Sequence, residues 1–309
     1  MNMIPVPPHF DQMGYGRMVF CQVNDFFNGY FFSRAMEENL VIELEGRWLL
    51  TTRCTGRHLV MHDSWDRDKI VYESIDFSRL RSLTVFGLWE PFFISESMKV
   101  LRVLDLENAT GVTDKDLEQM VKLLPRLKFL SLRGRTAVHH LPSSLGVLRQ
   151  LETLDFRYTS IITLPASITK LKKLQYVRAG TATPTAEQPT ACSLSWLSVF
   201  RRHQQVDGVT VSTGIEKLTA LHTLGVVNVG DAGGKAILKE LQKLTQLRKL
   251  GVTGVNKKNI KEFCSAISCH VHLESLSVRL SKGNQDCLEL WMTSTCLQRT
   301  FRALSCLGS

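Results

Sequence analysis

The side chains in this chain best suited to metal chemistry lie near its C-terminal end: Cys264, Cys269, His270 and His272. A structural zinc site draws thiolates and imidazoles into a tetrahedron, usually from paired ligands at short, recurrent spacings. The spacing here matches none of those patterns. Cys264 also falls on a stripe of helical period with Ile260, Phe263 and Ile267, where a cysteine acts as a small hydrophobe. No metal ligands are expected. His139-His140 reads as an exposed turn pair rather than a catalytic one. No Gly-x-Ser-x-Gly elbow, zinc-protease helix or Gly-x-x-x-x-Gly-Lys-Ser/Thr phosphate loop occurs. No spacing pairs two carboxylates for acid–base work, and the expectation is a protein without enzymatic activity.

The elements that would position any site come from a repeat. The pattern Leu-x-x-Leu-x-Leu starts at Leu80, Leu101, Leu127, Leu151, Leu174, Leu221, Leu247 and Leu273, at intervals of 21, 26, 24, 23, 47, 26 and 26 residues. A weaker copy, Arg57 to Met61, aligns Leu59 with Leu83. Alternation in x-Leu-x-Leu-x makes a short strand with its leucines on one face. One such unit cannot bury that face alone, so neighbours must stack. The fold class is therefore α/β: a leucine-rich-repeat solenoid with a curved parallel sheet and outer helices or turns. Stripes at Leu117/Met120/Val121/Leu124, Ile237/Leu238/Leu241/Leu244 and Ile260/Phe263/Cys264/Ile267 predict outer helices, the first opened by a capping box, Thr113-Asp114-Lys115-Asp116. Pro142 and Pro165 predict turns or short helical pieces instead. Across the 47-residue interval the layout of Leu164 to Leu174 recurs at Val211 to Leu221, so about 181–205 is an insert or a degenerate repeat.

Within each strand the non-leucine positions face the hollow of the arc. Asp105, Glu107, Ser131, Arg133, Asp155, Arg157 and Arg178 hold those positions in consecutive repeats and form the candidate protein-binding patch. The arginines are expected to meet an acidic partner.

Composition sets the outer bounds. The chain has 309 residues, 44% hydrophobic and 22% charged, with net charge +9. No nucleic-acid-binding signature accompanies that charge, so solvated basic faces are expected and nucleic acid is not. No apolar run is long enough to span a membrane, and no signal-peptide core follows Met1. Eight scattered cysteines do not make a disulfide framework. The expected location is the cytosol, where the sequon Asn108-Ala109-Thr110 has no consequence.

Leu141-Pro142-Ser143-Ser144-Leu145, Leu151 to Arg157 and Ile162-Thr163-Leu164-Pro165-Ala166-Ser167-Ile168 resemble the repeat region of plant intracellular immune receptors, the nucleotide-binding leucine-rich-repeat disease-resistance proteins. Cys21-Gln22-Val23-Asn24-Asp25-Phe26-Phe27 resembles the end of that family's nucleotide-binding module, where a Met-His-Asp motif sits beside bound ADP. The resemblance makes Asn24 and Asp25 candidate cofactor-binding residues, with asparagine in the histidine's place; an asparagine hydrogen-bonds but cannot titrate. Met61-His62-Asp63 spells the motif literally, but it falls where the first strand runs into the array and is read as coincidence.

The resemblance implies three parts: 1–52, a short helical remnant of the winged-helix end of the nucleotide-binding module; 53–290, the repeats; and 291–309, an irregular tail. It implies a role in plant innate immunity, with the repeats recognising a pathogen effector or a guarded host protein and, in an intact receptor, holding the nucleotide-binding module off. ADP or ATP would enter only through an upstream region. A stand-alone adaptor or decoy, or a truncated remnant without function, is the alternative.

Overall fold

A computed structural model describes the backbone of residues 3–5, 20–22, 40–47, 54–134, 137–182, 206–280 and 304–306. Eleven strands form one sheet: β1 (Val41–Leu44), β2 (His58–Met61), β3 (Ser82–Leu88), β4 (Val103–Thr110), β5 (Phe129–Ser131), β6 (Thr153–Asp155), β7 (Tyr176–Arg178), β8 (Thr223–Asn228), β9 (Lys249–Val255), β10 (Ser275–Leu280) and β11 (Leu304–Cys306). They lie side by side in chain order and every pairing is parallel. The repeat is a leucine-rich-repeat solenoid, as the periodicity predicts.

The register is the leucine register. Leu59, Leu83, Leu104, Leu130, Leu154 and Val177 stand opposite one another from β2 to β7, and Leu224, Leu250 and Leu276 continue the row. All are buried. One expected core position moves. Val226 was expected at the third leucine place, but the register shifts between Leu224 and Val226, and Val227 takes the core position. The cause is Gly225, which packs so tightly against Ala179 that a Cβ there would lie 2.3 Å from its backbone nitrogen. The extra residue bulges out, and the side-chain alternation resumes one place later.

The sheet also reaches past the 53–290 span that the resemblance implies for the repeats. β1 pairs with β2, so Leu59–Met61 lies on the second strand, and β11 pairs with β10. Neither outer strand carries the full leucine motif, which is why the pattern overlooks them. The 47-residue interval is a single step of the sheet, because β7 pairs directly with β8. Thr181–Ala182 and Val206–Asp207 close the base of the intervening segment as a separate antiparallel pair. No further strand stands between β7 and β8 in the ladder.

The outer layer changes along the array. α1 (Lys69–Glu73) is capped by Asp68, whose carboxylate accepts from the amides of Ile70 and Val71. It packs within an aromatic cluster in which Tyr72 meets Phe77, Phe92 and Phe93, and Trp65 and Trp89 also meet Phe93. The Tyr72 hydroxyl donates to the Phe93 carbonyl at 2.7 Å. α2 (Asp114–Leu123) has the capping box complete, with Thr113 and Asp116 each serving the other's amide. Short 3-10 turns follow Pro142 and Pro165, over Ser143–Val147 and Ala166–Lys170. α3 (Gly234–Leu241) and α4 (Ile260–Ser268) then bury the expected stripes, with Ala266 completing the second and Cys264 only half-buried. The 26-residue intervals into β5, β9 and β10 thus carry α-helices, and the 24- and 23-residue ones carry 3-10 turns.

Candidate protein-binding face

The outward side of the sheet presents three parallel rows. A leading row, one residue ahead of each strand, runs Arg57, Arg81, Arg102, Lys128, Glu152, Gln175, His222, Arg248 and Glu274. Each amide donates to the previous member's carbonyl at 2.7–2.9 Å. The next row holds Val103, Phe129, Thr153 and Tyr176 in register. The third holds Thr84, Asp105, Ser131, Asp155 and Arg178, also in register.

All seven residues of the expected patch come together, and their charges are largely spent on one another. Asp155 is buried and accepts from the Arg157 guanidinium, with Nε at 2.8 Å, and Arg178 approaches it at 3.8 Å. Glu107 pairs with Arg133 at 2.7 Å, and the Arg133 guanidinium lies over the Tyr158 ring. Ser131 is buried and hydrogen-bonds Asp105. Asp105 has no cation of its own among the described residues. Burial pushes its carboxyl up to about 6; the Glu107 amide and Ser131 work against that shift, and the charges of Glu107 and Asp155 add to it. Burial acts against the charge on Arg157, but the hydrogen bond and charge of Asp155 outweigh it and hold the guanidinium above its ordinary range.

Two features of this face are absent from the residue pattern that defined the patch. Phe129 and Tyr176 are half-buried aromatics on the outward side, with Tyr176 meeting His222 edge to face at a centroid distance of 5.9 Å. The leading row is the second. Its signal was present in the sequence as the first x of each Leu-x-x-Leu, a position that only the ladder reveals as continuous.

The other expected residues fall elsewhere. Asn24 and Asp25 lie outside the described residues. His62 follows β2 and stacks on Phe86, with Nε2 3.8 Å from Glu43, so the literal Met-His-Asp sits in the repeat array. Cys264, Cys269, His270 and His272 do not converge on one point: among the described residues no group of three or more His, Cys, Asp or Glu could hold a metal ion. His270 is fully buried without a well-formed hydrogen bond at either ring nitrogen. No helix among the described residues is long and apolar enough to cross a membrane.

Comparison with known proteins follows the repeat. A family described as leucine-rich repeat region matches residues 79–308. The disease resistance protein Pik-2 of Oryza sativa subsp. japonica is 34% identical over 167 residues, which is 53% of this chain and 16% of that protein. The disease resistance protein RGA4 of the same organism is 34% identical over 113 residues, 36% of this chain and 11% of that protein. The chain thus matches only a small part of these relatives' length. Among solved structures, an internalin of Listeria monocytogenes is 12% identical with a TM-score of 0.49, covering 80% of this chain and 66% of that one.

Proposed function

Since the chain belongs to the leucine-rich repeat family, we propose that its outward sheet face recognises another protein in plant disease resistance. The observation that carries this reading is the half-buried aromatic pair Phe129 and Tyr176 on the outward side, set two strands apart between charged rows of the ladder. Aromatic anchors within a polar surround are the composition of protein-binding surfaces. The patch Asp105, Glu107, Ser131, Arg133, Asp155, Arg157 and Arg178 supplies that surround. Because its charges already satisfy one another, it presents a pre-organised surface and loses little side-chain freedom on binding.

The likeness to the rice disease resistance proteins supports a defence role. The partner in that role is a pathogen effector or a guarded host protein. In an intact receptor the same repeats also contact the nucleotide-binding module and hold it off, with Asn24 and Asp25 at the nucleotide end.

The test compares wild type with Phe129→Asp/Tyr176→Asp. Each is expressed in leaves, captured with and without inoculation, and scored for lesion growth. A partner that purifies with wild type and is lost with the double variant, together with altered lesion growth in plants lacking the protein, is the expected result. Identical captured proteins and unchanged resistance would overturn the reading.

A further inference from the structure

The leading row divides into two electrostatic halves. From Lys128 onward charges find opposites along it: Lys128 meets Glu152 at 2.6 Å and Arg248 meets Glu274 at 3.3 Å. Ahead of that point stand three arginines. The Arg81 amide donates to the Arg57 carbonyl at 2.7 Å and the Arg102 amide to the Arg81 carbonyl at 2.8 Å. The three therefore stack at the strand spacing, about 4.8 Å apart. All are exposed, and none makes an ion pair among the described residues. The fields of Arg57 and Arg81 meet at His58, the next residue along from Arg57. Burial, then Arg81 and Arg57, hold its imidazole below the ordinary histidine range. Stacked like charges repel one another.

We propose that Arg57, Arg81 and Arg102 form a docking edge for an acidic protein segment, one carrying two or three carboxylates along its length. This rests on the reading of the sheet face as a protein-binding surface. It moves the acidic contact away from Arg133 and Arg157, which Glu107 and Asp155 already neutralise, to the row ahead of them. The span fits a peptide: three rungs cover about 10 Å, and carboxylates one helical turn apart are separated by about 5–6 Å. Next to Arg102 comes the half-buried apolar Val103, with Phe129 one rung further on, and these suit a side chain rather than a sugar. Beyond them Asp105, which has no cation of its own among the described residues, repels a phosphate backbone laid over the face. Charge complementarity therefore selects an acidic polypeptide over a nucleic acid.

The test titrates the 309-residue chain with fluorescein-labelled decaglutamate at low salt, with decaglutamine and a single-stranded DNA decamer as comparisons. Wild type binds decaglutamate in preference to both, and added salt weakens the binding. Arg57→Glu/Arg81→Glu/Arg102→Glu weakens it by about tenfold or more. The milder Arg57→Gln/Arg81→Gln/Arg102→Gln, which guards against a folding defect, weakens it less but in the same direction. Lys115→Glu/Lys122→Glu/Lys239→Glu, an equal change of net charge on the outer helices, leaves it unchanged. Unaltered affinity in both arginine variants, an equal loss in the outer-helix variant, or tighter binding of the DNA would each overturn the proposal. A failure here, with partner capture still abolished by Phe129→Asp/Tyr176→Asp, leaves the recognition reading standing. Arginine-dependent decaglutamate binding, with capture indifferent to those aromatics, sinks only the recognition reading.

Discussion

The repeats at the two ends of the described solenoid share one ladder and differ on both of its faces. From β2 to β4 the outer layer is an aromatic cluster around Tyr72 and Phe93, and the leading row is unpaired arginine. From β8 to β10 the outer layer is two helices with apolar stripes, and the leading row is paired or neutral. The fastenings differ too. Near β2 and β3 the Arg67 guanidinium donates to the carbonyls of His62, Asp63, Trp65, Phe86 and Leu88. Near β8 and β9 the Asn259 amide reaches the Val229 and Gly254 carbonyls and accepts from the Asn256 amide. The strands demand only leucine-type residues at fixed places. Everything else can be varied rung by rung, so specificity and local stability are written outside the leucines.

If the two ends are independent in this way, core truncations should act locally. Phe93→Ala is expected to cost about 3–5 kcal/mol and to strip amide-exchange protection from β2–β4 while β9 and β10 keep theirs. Phe263→Ala should do the reverse. Equal loss along the whole array from either change would break the comparison, since stability would then not be carried by nearest neighbours.

Arg67→Ala leaves several carbonyls without their donor and is expected to cost about 2–3 kcal/mol in chemical denaturation. Arg67→Lys should recover little of it, because an ammonium cannot span the carbonyls a guanidinium fork serves. Full rescue by lysine would reduce Arg67 to a point charge. The adjoining bend is equally constrained. Gly87 has φ 79°, and a Cβ there would lie 1.9 Å from an Asp63 carboxylate oxygen.

The ends should also answer pH with opposite signs. Asp105, in β4, titrates at about 6 in the folded protein, above its unfolded value of about 3.9. Its ionisation therefore subtracts stability as pH rises through that window. Asp105→Asn is expected to stabilise by about 1–2 kcal/mol at pH near 7.5 and by nothing near pH 4; melting curves at the two values decide it. His270, behind β10, is held below its ordinary range by burial, with the Leu244 backbone only partly offsetting this. An unfolded chain then binds its proton first, so stability is lost as pH falls below about 6.5. Exchange protection of β10 should fall between pH 7 and 5 in wild type and hold in His270→Leu. Parallel behaviour of both ends would erase the contrast.

The candidate site was partly legible. Alternation alone placed Asp105, Ser131, Asp155 and Arg178 on the outward side, because strand period is two and the leucines mark the other face. It could not say that Arg157 and Asp155, two residues apart on one edge, would spend their charges on each other. Nor could it find the arginine row. Arg57, Arg81 and Arg102 are 24 and 21 residues apart, and each stands one residue ahead of its strand, at a place where alternation has not yet begun.

What the sequence determined by itself is the ladder. Leucines recurring at 21–26 residues admit only stacked parallel strands, since no single repeat can bury its own apolar face. The helices at 114–123 and 260–268 follow from a capping box and from apolar spacing in the same local way. Tertiary structure alone decided three things. It made the 47-residue interval a single step of the ladder, because β7 and β8 pair directly. It put Val227 in the core in place of Val226, because Gly225 is pressed against Ala179. And it determined which charges are neutralised, because apart from Asp155 and Arg157 the pairs on this face join neighbours one rung away in space and more than twenty residues away along the chain.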